Sequence, residues 1–239
     1  MNTRRVLSVL TTAVLVASVS TPAKAIEPEA GTLAACAGPV VDDFSSGAYR
    51  SPDVTSGTTD STKTGSMLGG RRFTRVVVGT NLYNFPTTLA INPGGEHILA
   101  FSAGYKTFSG LQIFYGLKSA GVLAPLNANF SCYDRFRVHF AAADLPLNFN
   151  MQVRSTSSTA PYQCGQNTQA NLTNGFIADF PFTCFVTNDP NHPPVDWTHI
   201  NLVDLLLGTA SAIGANDYAI KKVELATGGC GLPICPPLP

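Results

Sequence analysis

The sequence predicts an all-β fold: a two-sheet antiparallel sandwich with long polar loops and disulfide staples. Three observations carry that prediction. Short apolar runs recur along the chain with Gly, Pro, Asn and Ser clusters between them, the spacing of an all-β domain. Two of these runs alternate apolar and polar residues with period two, the mark of a strand with one buried and one wet face. No stretch shows the 3.6-residue period of an amphipathic helix. Charged residues make up only 13% of the 239, against a usual value of about 25%. The polar surface must therefore be built from Ser, Thr, Asn, Gln and Gly.

Segment 1–25 reads as a secretory signal peptide. Arg4 and Arg5 give a basic start, 6–19 is an apolar run, and Ala23-Lys24-Ala25 is a small-x-small signature with cleavage after Ala25. The run is too short for a spanning helix, and no later stretch approaches about 20 consecutive apolar residues, so no transmembrane segment is expected. The predicted location is secreted or periplasmic. Two rival leaders exist. Thr3-Arg4-Arg5-Val6-Leu7 resembles a twin-arginine signal, a route for folded proteins that suits several disulfides poorly. Leu33-Ala34-Ala35-Cys36 has the letters of a lipoprotein box, which would put a lipid on Cys36, but Lys24, Glu27 and Glu29 separate it from the apolar run. Arg4, Arg5 and Lys24 take three of the 15 basic residues, so cleavage leaves 12 basic against 15 acidic, about −3. Nucleic acid needs a clustered basic surface and is excluded as a partner.

A short leader, 26–38, precedes the sandwich domain, 39–228, and a Cys/Pro-rich tail follows, 229–239. Strands are predicted at 40–44, 72–79, 88–91, 98–103 and 111–117. Two more are the clearest. In 135–140, Phe136, Val138 and Phe140 face one way, with Arg135, Arg137 and His139 on the other side. In 147–154, Leu147, Phe149, Met151 and Val153 face in, with Asn148, Asn150, Gln152 and Arg154 outward. The short 141–146 connection predicts that these two form an antiparallel hairpin. Further strands are predicted at 176–186, 197–202 and 218–225, with 202–207 open to a helical turn. Lys221-Lys222 interrupts the alternation of the last strand, consistent with a bulge or an edge. Segments 45–66 and 155–175 read as long polar loops.

Six cysteines, Cys36, Cys132, Cys164, Cys184, Cys230 and Cys235, suit three disulfides in an oxidising compartment. Spacing favours Cys164 with Cys184, a closure that contributes about 3 kcal/mol in the chain-entropy model. Cys230 and Cys235 enclose a turn-prone tetrad, which leaves Cys36 for Cys132; the rival pairing ties Cys36 to Cys230 or Cys235. A four-cysteine zinc site lacks the CxxC spacing it needs.

Three segments then carry a family resemblance: Val40-Val41-Asp42-Asp43-Phe44, Asp196-Trp197-Thr198-His199-Ile200-Asn201-Leu202, and the closing run from Asp217 to Leu225. Together they resemble the galactose-binding-like jelly-roll sandwiches of bacterial carbohydrate-binding modules. Those often begin with a DDF strand and carry a W-x-x-I/V-x-L/I segment before a closing strand that pairs near the first. The resemblance implies a jelly roll, a glycan cleft on a sheet face, and a structural calcium between the first and last strands, to which Asp42, Asp43 and Asp217 could give oxygens.

The wet face of the two central strands supplies the candidate ligand site: Tyr133, Arg135, Arg137, His139, Asn148, Asn150, Gln152 and Arg154. Sugar hydroxyls want partners that both donate and accept, and sugar C–H faces want a ring. Enzyme chemistry finds little support. Past the leader only Glu96 and Glu224 are glutamates, in different elements, whereas glycosidases use two positioned carboxylates. No G-x-S-x-G occurs. The Gln-x-His pattern of jelly-roll lyases fails at Leu111-Gln112-Ile113-Phe114. Asp189, His192, Asp196 and His199 lie close in sequence without a standard zinc spacing. Two sequons, at Asn129 and Asn171, matter only in a eukaryotic source. The expected function is a secreted non-catalytic sandwich that binds carbohydrate or another cell-surface ligand. The alternative is an envelope-associated scaffold without a small-molecule site, and a hydrolase or lyase is the third reading. The expected partner is a glycan or a cell-envelope component.

Overall fold

The computed structural model describes residues 35–229 and 234–235, apart from 157, 159, 168–173, 188, 190–191 and 210–214. The signal peptide and the Cys230–Cys235 bridge lie outside those residues. Sixteen strands follow in chain order: β1 (Val40–Asp42), β2 (Tyr49–Arg50), β3 (Gly57–Thr64), β4 (Arg71–Asn81), β5 (Thr88–Ile91), β6 (Leu99–Ala103), β7 (Thr107–Tyr115), β8 (Leu117–Ser119), β9 (Val122–Leu123), β10 (Arg135–Ala143), β11 (Leu147–Ser155), β12 (Tyr162–Asn167), β13 (Phe176–Pro181), β14 (Ile200–Thr209), β15 (Asn216–Ala226) and β16 (Ile234–Cys235). Among the described residues the only helical pieces are single 3₁₀ turns.

The strands make two principal antiparallel sheets. One has eight strands, ordered β16-β13-β10-β15-β6-β5-β2, with β1 also paired to β15. The other has six, ordered β12-β11-β14-β7-β4-β3, and β8 and β9 form a separate ribbon. The core fills the space between the inner faces. Phe140 on β10 and Phe149 on β11 approach to 5.6 Å between ring centroids, and Phe149 meets Phe180 edge-on at the same distance. Each fully buried ring of this kind contributes roughly 1.5–3 kcal/mol. A second aromatic group closes one end, where Trp197 stacks on Phe182 at 3.7 Å. The lone tryptophan is thus a packing residue.

Among the described residues two disulfides are formed, Cys36–Cys132 and Cys164–Cys184. The second joins β12 to the 3₁₀ turn Phe182–Cys184 after β13, and so links an edge of one sheet to the other sheet.

Several sequence expectations are corrected. Strands β10 and β11 do not form a hairpin. Each pairs within a different sheet, so the 141–146 connection arches across the core. Alternation fixes which side of each strand is apolar, and two apolar sides can meet either as one sheet face or across the core. The 45–66 segment is not all loop. It contains β2 and the eight-residue β3, an edge strand of sequence GTTDSTKT with no apolar residue to betray it. β-branched threonine and an edge lysine suit that position. The 155–175 segment contains β12, whose Tyr162 and Cys164 face the core. Residues 202–207 belong to strand β14, not to a helical turn. In β15, Lys222 pairs with His139 and Ile220 with Phe140, so Lys221 is bulged out. That strand is central, not an edge.

Candidate functional site

The arch between β10 and β11 divides the predicted site. Arg135, Arg137 and His139 stand on the outer face of the eight-stranded sheet. Asn148, Asn150, Gln152 and Arg154 stand on the outer face of the six-stranded sheet, on the other side of the sandwich. Tyr133 joins neither face; its hydroxyl donates to the Ala37 carbonyl at 2.7 Å.

On the eight-stranded face the charged groups close on one another. Arg137 makes a forked pair with Asp179, Nε to Oδ1 at 2.8 Å and Nη2 to Oδ2 at 3.1 Å. Arg135 reaches Asp134 Oδ1 at 2.6 Å and Asp179 Oδ2 at 3.2 Å. His139 Nε2 meets Glu224 Oε1 at 2.7 Å, and Lys222 pairs with the same carboxylate. Asp179 is 1% exposed. This sheet also has a shallow concavity of 460 Å³, floored by the alanine row Ala90, Ala100, Ala219 and Ala142 and rimmed by Arg50, Asp144 and Asp217.

The six-stranded face is different. Its register sets three rows side by side. One runs Asn148, Gly208, Gly110, Val77; the next Gly165, Asn150, Leu206, Gln112, Arg75; the third Gln163, Gln152, Asp204, Phe114, Phe73. A groove of 680 Å³ crosses the first two, with Phe108 at one end. Its floor is bare backbone at Gly79, Gly110, Gly165 and Gly208. None of the four has the positive φ that demands glycine. A methyl group at Gly208 or Gly165 would meet nothing nearer than 4.0 Å. At Gly110 a Cβ would lie 3.1 Å from the Leu207 carbonyl oxygen, so packing favours glycine there. At Gly165 and Gly208 neither backbone nor packing requires it, a pattern found where a ligand or another backbone approaches closely.

The groove walls are neutral amides. Asn150 Nδ2 donates to Gln163 Oε1 at 3.3 Å, and its Oδ1 is buried without a hydrogen-bond partner. Beyond the third row, the β8–β9 ribbon roofs a smaller concavity of 270 Å³ lined by Phe73, Phe114, Leu202 and Arg154. Gly116 starts that ribbon at φ 103°, where a Cβ would lie 2.3 Å from the Asn201 carbonyl, so only glycine fits. Burial pushes the Asp204 carboxyl well above the ordinary value of 3.8, and the nearby Arg154 charge opposes the rise.

Phe108, Gln112, Asp204 and the glycine floor were missed by sequence reasoning. The glycines inside predicted strands were the available signal. An exposed aromatic group was also missed: Tyr83 stacks on Tyr105 at 6.1 Å, Phe85 sits beside Tyr83, and Lys106 lies over both tyrosine rings. These loops adjoin β7 just before Phe108.

The calcium candidates are not assembled. Asp42 Oδ2 accepts from Arg72 Nη1 at 2.6 Å and from the Tyr115 hydroxyl at 3.0 Å, inside the sandwich. Asp43 Oδ1 is taken by the Ser45 amide and hydroxyl. Asp42 pairs with Val223 whereas Asp217 pairs with Ser102, so Asp217 lies six residues along β15, about 20 Å away at the strand rise. His192 pairs with Asp189 and His199 with Asp196 as two separate couples. Among the described residues no group of three His, Cys, Asp or Glu side chains could hold a metal.

No protein-family model and no curated protein matches this sequence. Among solved structures, the chain is similar to a family 11 carbohydrate-binding module of a cellulosomal cellulase from Clostridium thermocellum, at 11% identity, covering 82% of this chain and 97% of that one, with a TM-score of 0.38. It is also similar to part of an agarase, at 9% identity, covering 80% of this chain and 26% of that one, with a TM-score of 0.39. The first is of the kind the sequence motifs resemble. The sandwich class rests on the strand pairing itself.

Proposed function

We propose that this protein is a secreted, non-catalytic β-sandwich that binds a neutral carbohydrate, such as a cell-envelope glycan, in the groove on its six-stranded sheet. The observation that carries the reading is the bare glycine floor between amide walls. Asn148, Asn150 and Gln112 each offer both a donor and an acceptor, the pairing that hydroxyls need. A low floor lets a flat sugar ring lie on the backbone, and Phe108 supplies an apolar face at one end. The tyrosines beyond it would extend the contact for a longer chain. The two disulfides suit an oxidising compartment, and the Cys36 bond occupies the sulfur that a lipid anchor would modify.

Non-catalytic action in this groove is supported by carboxylate placement. The carboxylates on the six-stranded face include Asp204 on β14 and Asp60 on β3, three strands apart, or about 14 Å. Glycosidase carboxyl pairs stand about 5–9.5 Å apart, and Asp60 is held at 2.8 Å by both arms of Arg75. The test is calorimetric titration with neutral hexasaccharides of glucose, galactose and xylose. At least one should bind wild-type protein, and Gly208→Val, whose Cβ would meet nothing nearer than 4.0 Å, should abolish that binding. Wild-type protein that binds none of them would sink the reading.

A further inference from the structure

The aspartates buried in the described part of the molecule are Asp42, Asp179 and Asp204. Asp42 and Asp179 are held by arginines. Asp204, 5% exposed, has an Oδ1 atom buried with no hydrogen-bond partner in the protein. The Nε of Arg154, two residues along the neighbouring strand from Gln152, the partner of Asp204, is likewise buried and unpartnered. An unsatisfied buried carboxylate is costly, and a fold that needed this residue only for packing would do better with an apolar one.

We propose that Asp204 and Arg154 form a hydroxyl-reading pair on the six-stranded face, between the groove and the smaller concavity, taking two neighbouring hydroxyls of a neutral sugar ring. The inference rests on the carbohydrate reading and names the part of the site that gives it specificity. Placement supports it first. Along β14, Asp204 is flanked by Leu206, which lines the larger groove, and by Leu202, which lines the smaller concavity. It therefore stands between the two, walled by Gln152 on β11 and Phe114 on β7. Diagonal neighbours on paired strands are about 7–8 Å apart at the backbone, a span that two adjacent ring hydroxyls can bridge. Asn150 Oδ1, buried and unpartnered in the next row, offers a third contact.

Chemistry then selects the ligand. A free anion is repelled by Asp204 and a free cation by Arg154. A hydroxyl satisfies both, because it donates to the carboxylate and accepts from the guanidinium N–H. Charge-assisted hydrogen bonds of this kind are stronger than neutral ones, so the pair should contribute more than the surrounding amides. Another arginine on this face, Arg75, is already committed to Asp60.

The experiment compares wild type, Asp204→Asn and Arg154→Met for binding of the neutral hexasaccharides and of a hexuronate, with a thermal melt of each variant to confirm folding. The expected result is that wild type binds a neutral hexasaccharide and not the hexuronate. Asp204→Asn should stay folded and bind at least tenfold more weakly, and Arg154→Met should weaken in the same direction. Folded Asp204→Asn with wild-type affinity overturns this assignment and leaves the groove reading standing, as does preference for the hexuronate. Wild-type protein that binds neither sugar class overturns both.

Discussion

On the outer face of the eight-stranded sheet, Arg137 stands between Asp179 and Glu224. On the outer face of the six-stranded sheet, Asp204 stands between Gln152 and Phe114. The two strands that carry the predicted site, β10 and β11, are consecutive, alternate in the same way, and present similar polar residues. Their chemistry differs because of what lies across each ladder. Carboxylates flank the arginines of β10, and the charges neutralise one another. The polar groups of β11 face glycines, two leucines, two amides and a single aspartate, and Asn150 Oδ1 and Arg154 Nε keep unused hydrogen-bonding capacity. Cross-strand neighbours, more than residue type, decide whether a wet face is a finished surface or a binding surface.

The strongest way to break this comparison is Asp179→Ala. It strips two half-buried guanidinium groups of their shared carboxylate and should cost about 3 kcal/mol of stability, read by urea unfolding. Carbohydrate affinity, measured on the folded protein, should not change. A stability loss under about 1 kcal/mol would mean that the charged face is not held by its ion pairs.

A pH series sharpens the other side. Burial raises the folded-state pKa of Asp204 above the ordinary 3.8. Below that value both states hold the proton and the fold keeps its full stability. As pH rises, the unfolded chain ionises first, and stability falls until pH passes the folded-state value. Asp204→Asn cannot ionise, so its melting temperature should match wild type near pH 3 and exceed it increasingly towards neutral pH. Parallel curves for the two proteins would refute a buried, unpartnered carboxylate. Taken with the binding test, this predicts a variant that is more stable and less able to bind.

The smallest effect belongs to Arg137→Gln. Arg137 lies on the face away from the groove, and its hydrogen bonds go to Asp179 and the Gly228 carbonyl. Titration should return a dissociation constant within about twofold of wild type. A tenfold loss would place the ligand on the eight-stranded face instead.

Much of the fold was legible because its causes are local. Period-two alternation in β10 and β11 identified both strands and their buried sides, and a single sequence spacing picked out Cys164 with Cys184. The doubled lysine signalled the bulge at Lys221. β3 was illegible for an equally local reason: an edge strand of Thr, Ser and Asp has no apolar stripe to read. Asn148, Asn150, Gln152 and Arg154 stand on the groove face; Arg135, Arg137 and His139, grouped with them by an assumed hairpin, stand on the opposite side, and Tyr133 stands on neither. The glycine floor was visible as letters but not as a site, since Gly110 and Gly208 become neighbours only through pairing of β7 with β14.

The sequence by itself determined the fold class, the inward and outward side of each alternating strand, and the preference of Cys164 for Cys184. These follow from residue type and short spacing. Only the tertiary structure decided that the β10–β11 connection arches across the core, and with it which polar residues share a face. That choice depends on the strands each one finds as partners, at separations of tens of residues, where hydrophobic alternation is satisfied equally well by either arrangement.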